Sequence, residues 1–175
     1  MKKEDVILTC YSLLRKETPL KVDCGKICNG KCCKGDENTG MIIFPGEEKF
    51  LDENIEIKET ENGIKIAVCN GTCDRNKRPL SCRIYPLFPL MTENGKIKTI
   101  IDIRADCPLK NGEYKFNKAF VRKVKRVGKY LLLNEETKSV YLELSDEINE
   151  QIELLEKLQK NFWKNYWQLQ INSLY

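Results

Sequence analysis

Apolar and polar residues change rhythm several times along this chain, and each rhythm predicts an element. Over residues 3–17, Val6, Ile7, Cys10, Tyr11 and Leu14 recur at the helical period, which predicts an amphipathic helix stopped by Thr18-Pro19. Cys10 sits inside that apolar stripe and reads as a buried structural thiol. The apolar run 41–44 before Pro45-Gly46 predicts a short strand. Residues 55–58 and 64–68 alternate apolar and polar positions around Asn62-Gly63, the pattern of a β-hairpin. A second hairpin is expected around Asn94-Gly95, between 87–91 and 97–103.

Helical periodicity returns over 117–133 through Phe120, Val121, Val124, Val127 and Leu131. Ser145, followed by Asp146 and Glu147, predicts the N-cap of a last helix running to about residue 172. Its expected buried face is Ile148, Ile152, Leu155, Leu158, Phe162, Tyr166 and Leu169, with Trp163 and Trp167 beside it. Residues 134–143 are ambiguous between a loop and a short helix. The expected fold is α+β within one domain, 1–175. A cysteine-rich part (18–112) places two hairpins around a metal site, and an N-terminal helix and a helical extension (113–175) brace it.

Composition narrows the chemistry. At 175 residues the chain can bury a core without needing metal or disulfides to fold. Lys2 and Lys3 are not followed by a sustained apolar region, so no signal peptide is expected. No run of about 18 apolar residues suggests a membrane span. These readings point to the reducing cytoplasm, where clustered cysteines bind metal more readily than they form disulfides. The formal charge of +4 counts the cysteines as neutral, so thiolates bound to metal lower it. It is weak evidence for a nucleic-acid partner.

Eight of the nine cysteines lie between Cys24 and Cys107. Cys24, Cys28, Cys32 and Cys33 read C-x3-C-x3-C-C, and Cys69, Cys73, Cys82 and Cys107 follow. Such grouping suits zinc or an iron–sulfur cluster, and with no histidine in the chain any site must be sulfur-rich. The two hairpins offer a route for convergence, because each returns the chain close to where it left. Gly25 and Gly30 let the backbone turn tightly among the first ligands. Adjacent side chains diverge, so Cys32 and Cys33 are expected to serve two different sites, or one to ligate while the other stands behind the ligands. Arg78 and Arg83 flank Cys82 in a loop stiffened by Pro79 and Pro86, where a cation lowers a thiol's pKa and offsets thiolate charge.

The C-x3-C-x3-C-C group, the later RP-x2-C-R-x-Y-P segment (78–86) and the final Asp106-Cys107 together resemble the YkgJ-type cysteine-cluster family. Its members are described as zinc- or iron-chelating proteins. The resemblance covers Cys24 to Cys107, with three-residue gaps where many members have two. The same pattern is similar to one in flagellin lysine N-methylase, whose cysteines are thought to hold a [4Fe-4S] cluster. That likeness implies iron–sulfur over zinc. It does not carry methyl transfer to protein lysine with it, because no glycine-rich S-adenosylmethionine loop is present.

Three functions follow as expectations. The leading one is a [4Fe-4S] protein of redox or accessory role, the next a structural or chelating zinc module, and the last a lysine N-methylase-related enzyme. The partner expected is a metal ion or cluster, with a protein partner open and no membrane. A nucleic-acid regulator is a weaker fourth reading. Lys118, Arg122, Lys123, Lys125, Arg126 and Lys129 make 117–133 basic, which more often marks a solvated helix face than a phosphate-binding one. Glu47, Glu48 and Asp102 could act as bases, but no paired constellation supports that role.

Overall fold

The computed structural model describes residues 1–22, 24–33, 40–60, 63–69, 74–112 and 114–158, without the side chains of Cys28 and Cys33. Its chain order begins with α1 (Lys3–Leu14), α2 (Gly25–Cys28), β1 (Met41–Ile42), β2 (Glu56–Glu59) and β3 (Lys65–Val68). There follow α3 (Leu80–Ile84), β4 (Leu87–Met91), β5 (Ile97–Ile101), α4 (Lys118–Leu131) and α5 (Glu135–Leu158). The class is α+β, with two small antiparallel sheets.

Both expected hairpins form. Strand β3 lies between β1 and β2, with Ile57 opposite Ala67 and Ile42 opposite Ile66. Strands β4 and β5 pair from Leu87–Ile101 to Met91–Ile97. Both connections use the tetrapeptide Thr-Glu-Asn-Gly, at 60–63 and 92–95. In each, the glycine N–H donates to the threonine carbonyl, and the glycine φ is positive (+76° at Gly63, +72° at Gly95). A side chain there would be strained, so glycine sets the turn.

The main core gathers the apolar stripe of α1 (Val6, Ile7, Cys10, Tyr11, Leu14) and Leu80 and Ile84 of α3. It adds both strands of the second hairpin and Phe120, Val124, Val127 and Leu131 of α4. Gly128 of α4 is a contact point, because a Cβ there would lie 2.8 Å from the Tyr141 hydroxyl and 3.0 Å from Pro89 Cβ. Tyr141 uses that hydroxyl to donate to the Pro89 carbonyl, joining α5 to β4. Asn117 caps α4 by accepting from Ala119 N–H at 3.0 Å. Its own N–H donates to the Pro19 carbonyl at 2.8 Å, so the helix starts beside the segment that leaves α1.

The C-terminal region departs from expectation. Residues 135–158 form one helix, so Ser145 is an interior residue and not an N-cap, and 134–143 is neither loop nor separate helix. The cap is Asn134, whose Oδ1 accepts from the N–H groups of Glu136 and Thr137. Ser145 is buried and donates to the Tyr141 carbonyl, while its oxygen accepts from Met91 N–H on β4. Ile148 is buried as expected, whereas Leu158 is 71% exposed. The expected positions Phe162, Trp163, Tyr166, Trp167 and Leu169 lie outside the described residues. Among the described residues, no helix is long and apolar enough to cross a membrane.

Candidate metal centre

Four segments converge on one cavity of about 100 Å³. The stretch leaving α1 contributes Arg15, Glu17 and Pro19. The following turns contribute Cys24 and Cys32, the 3-10 turn 75–77 and α3 contribute Arg75, Arg78, Cys82 and Arg83, and the segment after β5 contributes Asp106 and Cys107. Cys24, Cys32, Cys82 and Cys107 therefore share one wall system, although they come from three separate segments of the chain.

Local structure explains each placement. Cys24 caps the single turn of α2, where Ile27 N–H donates to its carbonyl at 3.0 Å. Asn29 and Gly30 then take left-handed backbone conformations (φ +51° and +64°), reversing the chain into the 3-10 turn that carries Cys32. Gly25, by contrast, lies within the helical turn. Lys31 pairs with Asp106 at 2.8 Å, which ties the Cys32 turn to the neighbour of Cys107. Cys82 sits in the middle of α3, a helix whose flanking Leu80 and Ile84 are buried in the core. Cys107 is itself buried, while Cys32 is exposed, so the thiols run from the interior to the surface.

Arg83 braces this wall. Its guanidinium stacks over the Tyr11 ring, its Nε donates to the Arg78 carbonyl at 2.8 Å, and its Nη2 donates to the Asn76 carbonyl. The side chain thereby holds the 3-10 turn 75–77 against α1. Asp52 anchors the same turn from the other side, accepting Asp74 N–H at 2.8 Å. That N–H holds its carboxyl below the usual range. Tyr85 also lines the cavity, and burial raises its hydroxyl pKa, with the charges of Cys107 and Cys32 adding to the effect. Sequence reasoning passed over Tyr85 as a site residue, although it belongs to the segment 78–86 that marks the cysteine region.

The remaining sequence candidates divide. Cys69 follows β3 and is half-buried, and it is not among the residues lining this cavity. Cys73 lies outside the described residues, as do the side chains of Cys28 and Cys33, whose backbones lie in α2 and the next turn. Among the described residues, no three His, Cys, Asp or Glu side chains stand grouped as a metal-holding set. The four cavity thiols thus face a common space without meeting at one point.

Glu47 has a structural role. It is fully buried, and its carboxyl accepts from the Tyr11 hydroxyl (2.8 Å), Phe44 N–H (2.8 Å) and Leu80 N–H. Burial outweighs these bonds and raises its pKa to about 7. Cys10 lies nearby in the core, and burial pushes its thiol up to about 12, with the Glu47 charge adding to the effect. Glu48 pairs with Lys65 at 2.9 Å and Asp102 with Arg104 at 2.9 Å, and neither lines the cysteine cavity. On α4, Lys118, Arg122, Lys125, Arg126 and Lys129 are exposed, while Lys123 pairs with Glu17 at 2.8 Å.

No family model matches the chain, and no curated protein or solved structure matches it either.

Proposed function

We propose that this chain is a thiolate metal-binding protein whose cysteine cavity holds an iron–sulfur cluster of the [4Fe-4S] type, in a redox or accessory role. The observation that supports the reading is the sharing of one cavity by Cys24, Cys32, Cys82 and Cys107, drawn from three separate stretches of chain. Packing alone gives cysteines from three separate segments no reason to line one space, whereas a sulfur-bound cluster would draw them together there. These four thiols are the candidate ligands, with Cys28, Cys33, Cys69 and Cys73 as further donors in the same region of sequence.

The cluster supplies one-electron chemistry when bound. The chain supplies the surroundings. Lys31 and Asp106 clip two thiol-bearing segments together, and Arg83 fixes the turn beside Cys82 while bringing positive charge to the thiolates. Tyr85 keeps its proton in the buried wall and can donate a hydrogen bond to sulfur. Reduced cytoplasmic thiols suit this role, and the partner is the cluster, with a redox protein as the natural exchange partner.

The test is anaerobic purification followed by metal and acid-labile sulfide analysis and a visible spectrum. Iron with matching sulfide and a broad visible charge-transfer absorption is expected. A colourless protein fully loaded with zinc, without sulfide, would overturn the iron–sulfur reading and leave a four-thiolate zinc site in its place.

A further inference from the structure

The cavity wall carries more positive charge than its own acids balance. Four guanidinium groups line it (Arg15, Arg75, Arg78 and Arg83), against the carboxylates of Glu17 and Asp106. Both carboxylates are already opposed by lysines outside the lining, Glu17 by Lys123 at 2.8 Å and Asp106 by Lys31 at 2.8 Å. Arg83 is committed to backbone carbonyls and the Tyr11 ring. Arg15 and Arg75 differ from it. Both are exposed, both reach the cavity, and neither pairs with a carboxylate among the described residues.

These two arginines come from unrelated elements. Arg15 follows α1, and Arg75 opens the turn that Arg83 and Asp52 hold in place. A guanidinium presents a planar fork of donors that matches the two oxygens of a carboxylate or phosphate. Two such forks on one concave wall make an oxyanion trap, strengthened where the wall excludes water. Four thiolates around a cluster core carry a net charge of about −2, fewer charges than the four guanidiniums. That count rests on the metal reading above.

We propose that Arg15 and Arg75 bind the oxyanion group of a small molecule, a carboxylate or a phosphate, at the mouth of the cysteine cavity. The ligand's remaining atoms are then held against the thiol-bearing wall, which makes the cavity a binding site for an anionic substrate or effector as well as for metal.

The experiment titrates inorganic phosphate and, separately, acetate into the metal-loaded full chain, following the arginine Nε–H signals by NMR. Metal content is measured on the same samples. Saturable binding of at least one anion is expected, and it identifies which oxyanion the site prefers. The double variant R15Q/R75Q is expected to weaken that binding roughly tenfold or more with metal content unchanged. The control K16Q/K77Q removes the same charge from exposed positions outside the lining, and it should stay within about twofold of the parent. Absence of saturable binding by both anions, or equal weakening in the control, overturns the proposal. A metal-loaded protein indifferent to both anions defeats this inference alone. A chain that takes up neither iron nor zinc on anaerobic reconstitution, yet still binds through the two arginines, keeps it and defeats the metal reading.

Discussion

The Arg83 guanidinium lies 3.7 Å from the centroid of the Tyr11 ring, so the first helix and the cysteine-bearing helix α3 meet through a cation stacked on an aromatic face. The same Tyr11 donates its hydroxyl to the buried Glu47. One chain of contacts therefore runs from a carboxylate in the core, through Tyr11, to the arginine beside Cys82.

Arg83 should matter to both stability and metal retention. Replacing it by alanine removes the donors to the Arg78 and Asn76 carbonyls and the stacking on Tyr11. The expected loss is about 1–3 kcal/mol in urea unfolding. Metal should also leave faster when a chelator is added. Lysine at this position keeps the charge but not the planar fork, so R83K should recover only part of both properties. A variant R83A with unchanged chelator kinetics would show that the brace has no bearing on the site.

Glu47 gives the protein a stability slope with pH. Its pKa stands near 7 in the fold against an ordinary value of 4.5. Below 4.5 it is neutral in both states and costs nothing. As pH rises from 4.5 towards 7 the unfolded chain ionises first, so the folded state binds more protons and stability falls, levelling off above the folded pKa. The total is on the order of 3 kcal/mol. The chain has no histidine, so above the ordinary carboxylate range little else titrates before pH 7. E47Q should flatten the slope in urea midpoints measured across it. It should also cost about 1–3 kcal/mol at the acid end, because three donors then face an amide with one accepting oxygen. An unchanged slope in E47Q would assign the pH dependence elsewhere.

Gly128 should tolerate no side chain. A methyl group there meets the Tyr141 hydroxyl and Pro89 at contact distances too short to accept. Although alanine favours helix, G128A is expected to destabilise the fold by about 1–3 kcal/mol through overpacking. Relief in a G128A/Y141F double variant, which removes the opposing hydroxyl, would confirm the cause in thermal unfolding. Equal losses in the single and double variants would place the clash elsewhere.

Much of the fold could be read from sequence where local signals and tertiary packing agree. The α1 stripe from Val6 to Leu14 is buried, and Gly63 and Gly95 sit in hairpin turns, because period and turn chemistry are local properties. The start of the last helix departs from the sequence pattern for the opposite reason. Ser145 has the chemistry of an N-cap, but its hydroxyl is satisfied by Tyr141 and by Met91 on another element. Thr137 is a polar residue on the buried face, so it hides the helical period through 134–143. Glu47 is similar, since its partners include Tyr11 and Leu80 from distant segments. The cysteines suggest a metal site by type and spacing. Which of them share a cavity, and that Arg15 and Tyr85 help to wall it, depends on how separate segments pack.

The most direct measurement is the iron and sulfide content of anaerobically purified single variants at each cavity cysteine, with a core cysteine as control. Cys24→Ser, Cys32→Ser, Cys82→Ser and Cys107→Ser should each lose most of the roughly four irons per chain and the visible absorption. Cys10→Ala, which alters a thiol in the core away from the cavity, should keep both. Full iron and sulfide in all four cavity variants, or loss of the cluster only on changing Cys10, would contradict the assignment of this cavity as the metal centre.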